Sequence, residues 1–151
     1  MVPHVKPQNV AEHSFHVLWI YFWLYEKYAF NTPSFFDAMR VLAHDADEAM
    51  TGDHPSPTKG LPDTSEAMQN KCWVKIADCL EMDVFLREEK ALGNSAIDDI
   101  QKDNSYRAQC WVDKLKTFGC TVPKFDKLAD TLWDEIKINK HVGLRGVEYA
   151  R

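Results

Sequence analysis

Residues Phe15 to Tyr25 read FHVLWIYFWLY, eleven positions of which ten are apolar or aromatic. At helical spacing such a run is apolar nearly all round, so it belongs at the centre of a bundle or under another subunit. It is about half the length that a membrane-spanning helix needs, and it carries His16. No small-residue cleavage site follows it, so it does not read as a signal peptide either. Asn9 precedes the run as an N-cap, with Glu12 as the second half of a capping box. A helix is therefore expected from there to about Phe30, where Asn31, Thr32 and Pro33 break it.

The rest of the chain repeats this grammar. Ser34 caps a second helix whose apolar positions Phe35, Met39, Leu42 and Ala43 recur at helical spacing. Thr51 to Thr64 (TGDHPSPTKGLPDT) holds three prolines and two glycines and reads as a long loop, of the kind that carries function or lacks order. A long helix follows from about Thr64 to Leu92, with Trp73, Ile76, Ala77, Leu80 and Val84 in one stripe. Gly93 and Asn94 end it. Further helices are expected over roughly Ser95 to Phe118 and Lys124 to Asn139. No segment alternates with a period of two, so no sheet is expected. The reading is one all-α domain over residues 1–151, a compact bundle of five to six helices.

With 18 Lys and Arg against 23 Asp and Glu, the net charge is −5. That argues against coating duplex nucleic acid, where affinity comes from neutralising phosphates. A small phosphate ligand stays compatible, because a metal ion can dominate the local field. Cys72, Cys79, Cys110 and Cys120 form no CxxC pair and no zinc-ribbon spacing. Reduced thiols and a cytoplasmic setting are the simplest reading, with no membrane partner.

Several residue types suit chemistry. His44, Asp45 and Glu48 follow one another at spacings that can point all three into one pocket. An imidazole with two carboxylates suits a divalent cation and an activated water. A solvated acidic helix end explains the same residues. His13 and His16 share a face of the first helix, as ligands or as hydrogen-bonded core residues. Asp78 lies beside Val74 and Met82, costly unless paired or metal-bound; a surface pair with Lys75 is the bland alternative, and Asp83 is an equally available carboxylate. Asp53 and Lys59 stand in the long loop, as turn residue and solvated cation or as something more.

Taken in order, NVAEHS (Asn9 to Ser14), HDADE (His44 to Glu48), TGDHPSPTK (Thr51 to Lys59) and KIAD (Lys75 to Asp78) resemble the HD-domain phosphohydrolases. More narrowly they are similar to YfbR-like 5'-deoxynucleotidases and to phage dATP triphosphohydrolases of the DatZ type. The resemblance covers about residues 7 to 90. It implies a helical fold holding one divalent transition metal ion (manganese, cobalt, iron or zinc) on His13, His44, Asp45 and Asp78. It implies Glu48 as the residue that orients the attacking water or moves its proton, and Asp53 as a positioning group. Lys59 and Lys75 become candidates for neutralising phosphate oxygens. The implied activity is removal of the 5'-phosphate from 2'-deoxynucleoside monophosphates. Its variants are release of triphosphate from a deoxynucleoside triphosphate, and a catalytically silent domain that binds a nucleotide. The partner is a small deoxynucleotide. The aromatic first helix adds the expectation of a homo-oligomer.

One departure bears on the substrate. The family carries an arginine and an aromatic residue upstream of the EHS motif, in contact with the nucleotide. At family spacing that arginine falls before Met1, so the expectation is a truncated start or a chain without this contact. The short connection from Lys59 to Thr64 matches the compact, phage-type members.

Overall fold

A computed structural model describes residues 9–29, 32–44 and 65–138. Five α-helices account for most of them: α1 Val10–Leu24, α2 Phe35–Leu42, α3 Ser65–Ala91, α4 Asp98–Thr117 and α5 Phe125–Ile138. A 3-10 turn, Ser95–Ile97, leads into α4, and a π-helical turn, Tyr25–Ala29, extends α1. No strand occurs among the described residues. The all-α expectation holds.

The helix ends follow from local chemistry. The Asn9 side chain accepts a hydrogen bond from the Glu12 N–H at 2.8 Å, satisfying a donor that the first turn cannot pair internally. Ser34 does the same for Asp37 at 3.1 Å. Gly93 and Gly119 take φ of +93° and +84° just beyond α3 and α4, a conformation in which a Cβ would be strained. The stop at Gly93 was expected, and Gly119 directly follows Phe118, where the next helix was expected to end.

The core lies between α1 and α3, closed by α4 and α5. Val17, Ile20, Tyr21 and Leu24 from α1 meet Trp73, Ile76, Ala77, Leu80 and Val84 from α3, all buried. Ala108, Val112 and Leu115 of α4 and Phe125, Leu128, Leu132 and Ile136 of α5 complete it. Polar side chains tie the helices at fixed points. Asn104 of α4 donates to the Cys79 carbonyl of α3 at 2.9 Å. Gln109 of α4 accepts from the Phe125 N–H at 2.8 Å, pinning the start of α5. Arg87 of α3 bridges Asp83 at 2.7 Å and Asp130 of α5 at 2.8 Å. All four cysteines are free thiols. No helix among the described residues is long and apolar enough to cross a membrane.

Leu80 has no exposed surface at the middle of this core. Leu80→Ala is expected to destabilise the fold by about 2–5 kcal/mol, the loss of transfer energy plus a cavity that the helices cannot close. Urea denaturation would measure it, as a lower midpoint at unchanged slope.

The apolar stripe on α2 does not face the core: Phe35 is 73% exposed, Met39 45% and Leu42 37%, and only Val41 of this helix is buried. Phe15 and Phe22 on the neighbouring α1 are exposed too. Helical periodicity identifies an apolar face but not what covers it.

Candidate metal centre

α1 and α3 run antiparallel, which brings the start of α1 beside the middle of α3. His13 thereby meets Asp78 and Glu81, while Tyr21, two turns on, hydrogen-bonds Asn70. α2 ends at the same place, and His44 follows in its C-terminal turn.

His13, His44 and Asp78 converge, each offering one ligand atom, with these atoms within 4.8 Å of one another. His13 Nε2 is 3.1 Å from Asp78 Oδ1, and His44 Nε2 is 3.9 Å from the same oxygen. The imidazoles' other nitrogens are held from behind. His13 Nδ1 lies 3.1 Å from Glu81 Oε2. His44 Nδ1 lies 2.6 Å from the Val41 carbonyl, which can only accept, so Nδ1 of His44 carries the proton. A histidine that donates through Nδ1 presents the Nε2 lone pair forward, the arrangement by which backbone carbonyls and carboxylates orient metal-binding imidazoles. Two such imidazoles around one carboxylate fit a divalent transition metal ion.

The electrostatics agree with this packing. Hydrogen bonds to Asp78 and then Glu81 push the His13 pKa up to about 10, against the opposing effect of burial. Burial by itself would raise the Asp78 carboxyl, but the two imidazoles that face it, His13 foremost through its hydrogen bond, outweigh burial and hold Asp78 well below the usual carboxylate range. Without a metal, the cluster is thus a carboxylate neutralised by a protonated imidazole.

Of the residues singled out from sequence, His13, His44 and Asp78 are brought together. His16 is outside this group, with Nδ1 3.8 Å from the other oxygen of Glu81. Asp83 is engaged by Arg87 instead. Lys75 is half-buried on α3, one turn before Asp78. Asp78 pairs with the two histidines rather than forming the surface pair with Lys75. Asp45, Glu48, Asp53 and Lys59 lie outside the described residues.

Glu81 was not anticipated. It is 5% exposed and sits between the two histidines of α1. The available signal was a pair of three-residue spacings, His13 to His16 and Asp78 to Glu81, on helices that turn out to be antiparallel neighbours. Glu81→Ala is expected to weaken binding of manganese about 10–100-fold, the usual effect of losing an outer partner of a ligand. Isothermal titration calorimetry would measure it, and unchanged affinity would remove Glu81 from the centre.

The HD domain family matches residues 1–94, which contain the whole cluster. No curated protein and no solved structure matches the chain. HD domains bind divalent metal ions and are in general metal-dependent phosphohydrolases, and the histidine and aspartate cluster lies where the matched segment's helices meet. The chain belongs to the HD-domain family.

Proposed function

We propose that this protein removes the 5'-phosphate from 2'-deoxynucleoside monophosphates, using one divalent transition metal ion held by His13, His44, Asp45 and Asp78. The observation that carries the metal part is the convergence of His13, His44 and Asp78, with Nδ1 of each imidazole held by an acceptor. The ordered motifs from Asn9 to Asp78 support the nucleotide part.

When bound, such an ion polarises a phosphoryl oxygen and makes a water acidic enough to attack at neutral pH. The chain's own residues supply the rest. Glu81 and the Val41 carbonyl hold His13 and His44 in the tautomers that bind through Nε2. Asp78 stays ionised and offers its carboxylate as a ligand. Glu48 takes the proton of the attacking water, and Asp53 positions water or substrate. Lys59 and Lys75 place positive charge against the phosphate oxygens. Phosphorus gains the water oxygen and loses the bond to the 5'-oxygen, which leaves as the nucleoside hydroxyl once protonated.

The purified protein, given manganese or cobalt, should release orthophosphate from 2'-deoxynucleoside monophosphates. Triphosphate released from a deoxynucleoside triphosphate would replace this reading by the triphosphohydrolase. Bound metal without turnover on any nucleotide would replace it by a silent nucleotide-binding domain.

We also expect a homo-oligomer. Phe15 and Phe22 on α1, with Phe35, Met39 and Leu42 on α2, expose large apolar side chains on two adjacent helices. Exposed apolar side chains of this size mark interaction surfaces, and a second copy offers the same face in return. Met39→Glu should shift the sedimenting species from oligomer to monomer. A wild-type chain that sediments as a monomer at micromolar concentration would contradict this.

A further inference from the structure

A cavity of about 820 Å³ opens between the end of α1, the start of α2, the start of α3 and the α4–α5 turn. That volume is within the roughly 300–1,000 Å³ of small-molecule sites. None of its lining residues belongs to the metal cluster. Tyr25 on its wall lies twelve residues beyond His13, about 18 Å along the helix axis. Asn70 lies eight residues before Asp78, about 12 Å along α3. One small ligand does not reach both places, so the cavity is a site in its own right.

The floor of the cavity is aromatic. Tyr25 and Trp73 line it and are otherwise buried, with ring centroids 5.5 Å apart at an interplanar angle of 50°. Tyr28 and Phe36 add two further rings, and Phe36 is largely exposed. The π-helical turn, a wide turn seen often at functional sites, supplies Tyr25 and Tyr28.

The charge of the cavity is negative. Asp37 of α2 and Glu66 of α3 line it against a single cation, Arg40. Each carboxylate stands in the first turn of its helix, where the helix dipole favours the ionised form. The Ser34 hydroxyl donates to Asp37 at 2.8 Å and fixes it. Arg40 comes no closer to Asp37 than 3.8 Å and is mostly in solvent, an arrangement that cancels little of the charge. Both carboxylates act on the floor. Burial foremost pushes the Tyr25 hydroxyl's pKa up, a hydrogen bond with Tyr21 lowers it, and the charges of Asp37 and Glu66 add to the rise. The Tyr21 and Tyr25 hydroxyls are spent on Oδ1 of Asn70 and not on the carboxylates.

Such a cavity repels a nucleotide phosphate. An ammonium group is drawn to both of its components, because the carboxylates supply negative charge and aromatic rings present negative faces. From this combination we infer that the cavity binds a small organic ammonium ion. Its nitrogen lies against Asp37 and Glu66, and its apolar or planar stem lies against Tyr25, Tyr28, Phe36 and Trp73. The site is separate from the metal centre and does not depend on the reaction proposed there.

The test compares three probes of one shape and different charge: 2-phenylethylammonium, the neutral 2-phenylethanol and the anion phenylacetate. Each is titrated into the full chain and followed by ligand-observed nuclear magnetic resonance. The ammonium should bind with a Kd of about 1 mM or tighter, and at least about tenfold more tightly than the alcohol. Phenylacetate should not bind. Removing both charges in the double variant Asp37→Asn, Glu66→Gln should bring the ammonium down to the affinity of the alcohol. Thr121→Trp, at an exposed cavity-lining position in the α4–α5 turn, should weaken the ammonium at least about tenfold by filling the space. Unchanged manganese affinity and helical circular dichroism in both variants separate a changed cavity from a damaged fold. Asp78→Ala should bind the ammonium as the wild type does. No binding of the ammonium, equal binding of the alcohol, or wild-type affinity in either cavity variant would overturn the inference. Loss of ammonium binding in Asp78→Ala would overturn the cavity as a separate site.

Discussion

Asp78→Ala should lose metal binding and phosphohydrolase activity together while keeping its helices. Asp78 is the one carboxylate among the described residues that faces both His13 and His44. Its loss leaves the two imidazoles and the proposed ligand Asp45, and manganese affinity should fall by more than about 100-fold, beyond the effect of removing an outer partner. Activity should fall at least as far at any metal concentration that leaves the site empty. The fold should tolerate the change, because the Asp78 side chain is about one-third exposed (35%) and the core stripe of α3 does not include it. Calorimetric metal titration, orthophosphate release and far-ultraviolet circular dichroism on one preparation would check all three. Full turnover by Asp78→Ala would remove this residue from the mechanism.

The second large effect is of pH on metal affinity. In the metal-free protein the hydrogen bonds from His13 to Asp78 and Glu81 raise its pKa to about 10. A metal ligand must be a neutral imidazole, so binding has to expel that proton. Affinity should therefore rise about tenfold per pH unit from roughly pH 7 towards 10, with close to one proton released per ion. Asp78 is held below the usual range and is already ionised there, so it adds nothing to the slope. Stability of the metal-free fold should move the other way. A folded pKa above the unfolded value of 6.5 contributes stability that is fully present below 6.5 and lost as pH rises through about 10. Titrations in buffers of differing ionisation enthalpy would count the protons. An affinity flat between pH 7 and 9 would contradict the cluster as described.

These effects depend on how three distant stretches meet, and sequence exposes that unevenly. Helix ends were legible because each rests on one residue's local chemistry: Asn9 and Ser34 as caps, Gly93 and Gly119 as left-handed stops. The buried stripe of α3 was legible because Trp73, Ile76, Leu80 and Val84 repeat with the helical period. The α2 stripe carries an equally clear period, yet Phe35 and Met39 are exposed. Periodicity is a property of one helix, whereas burial is a property of its neighbours.

The cluster shows the same division. Spacing left His13 against His16 and Asp78 against Asp83 undecided, and the resemblance to a motif pattern made the choice. Packing then separates them physically: Asp83 turns to Arg87, while Asp78 turns to the two imidazoles. Glu81 was missed because its paired spacing with Asp78 gains meaning only from the antiparallel packing of α1 and α3, which brings it to His13, 68 residues away in sequence.

Equilibrium dialysis of the wild-type chain against manganese at pH 8, in parallel with His13→Ala and His44→Ala, is the decisive measurement on the metal centre. The wild type should hold one tightly bound equivalent, with affinity reduced by more than about 100-fold in each variant. A wild-type chain that holds no manganese or cobalt, or variants that hold it as tightly as the wild type, would contradict the metal centre on His13, His44 and Asp78.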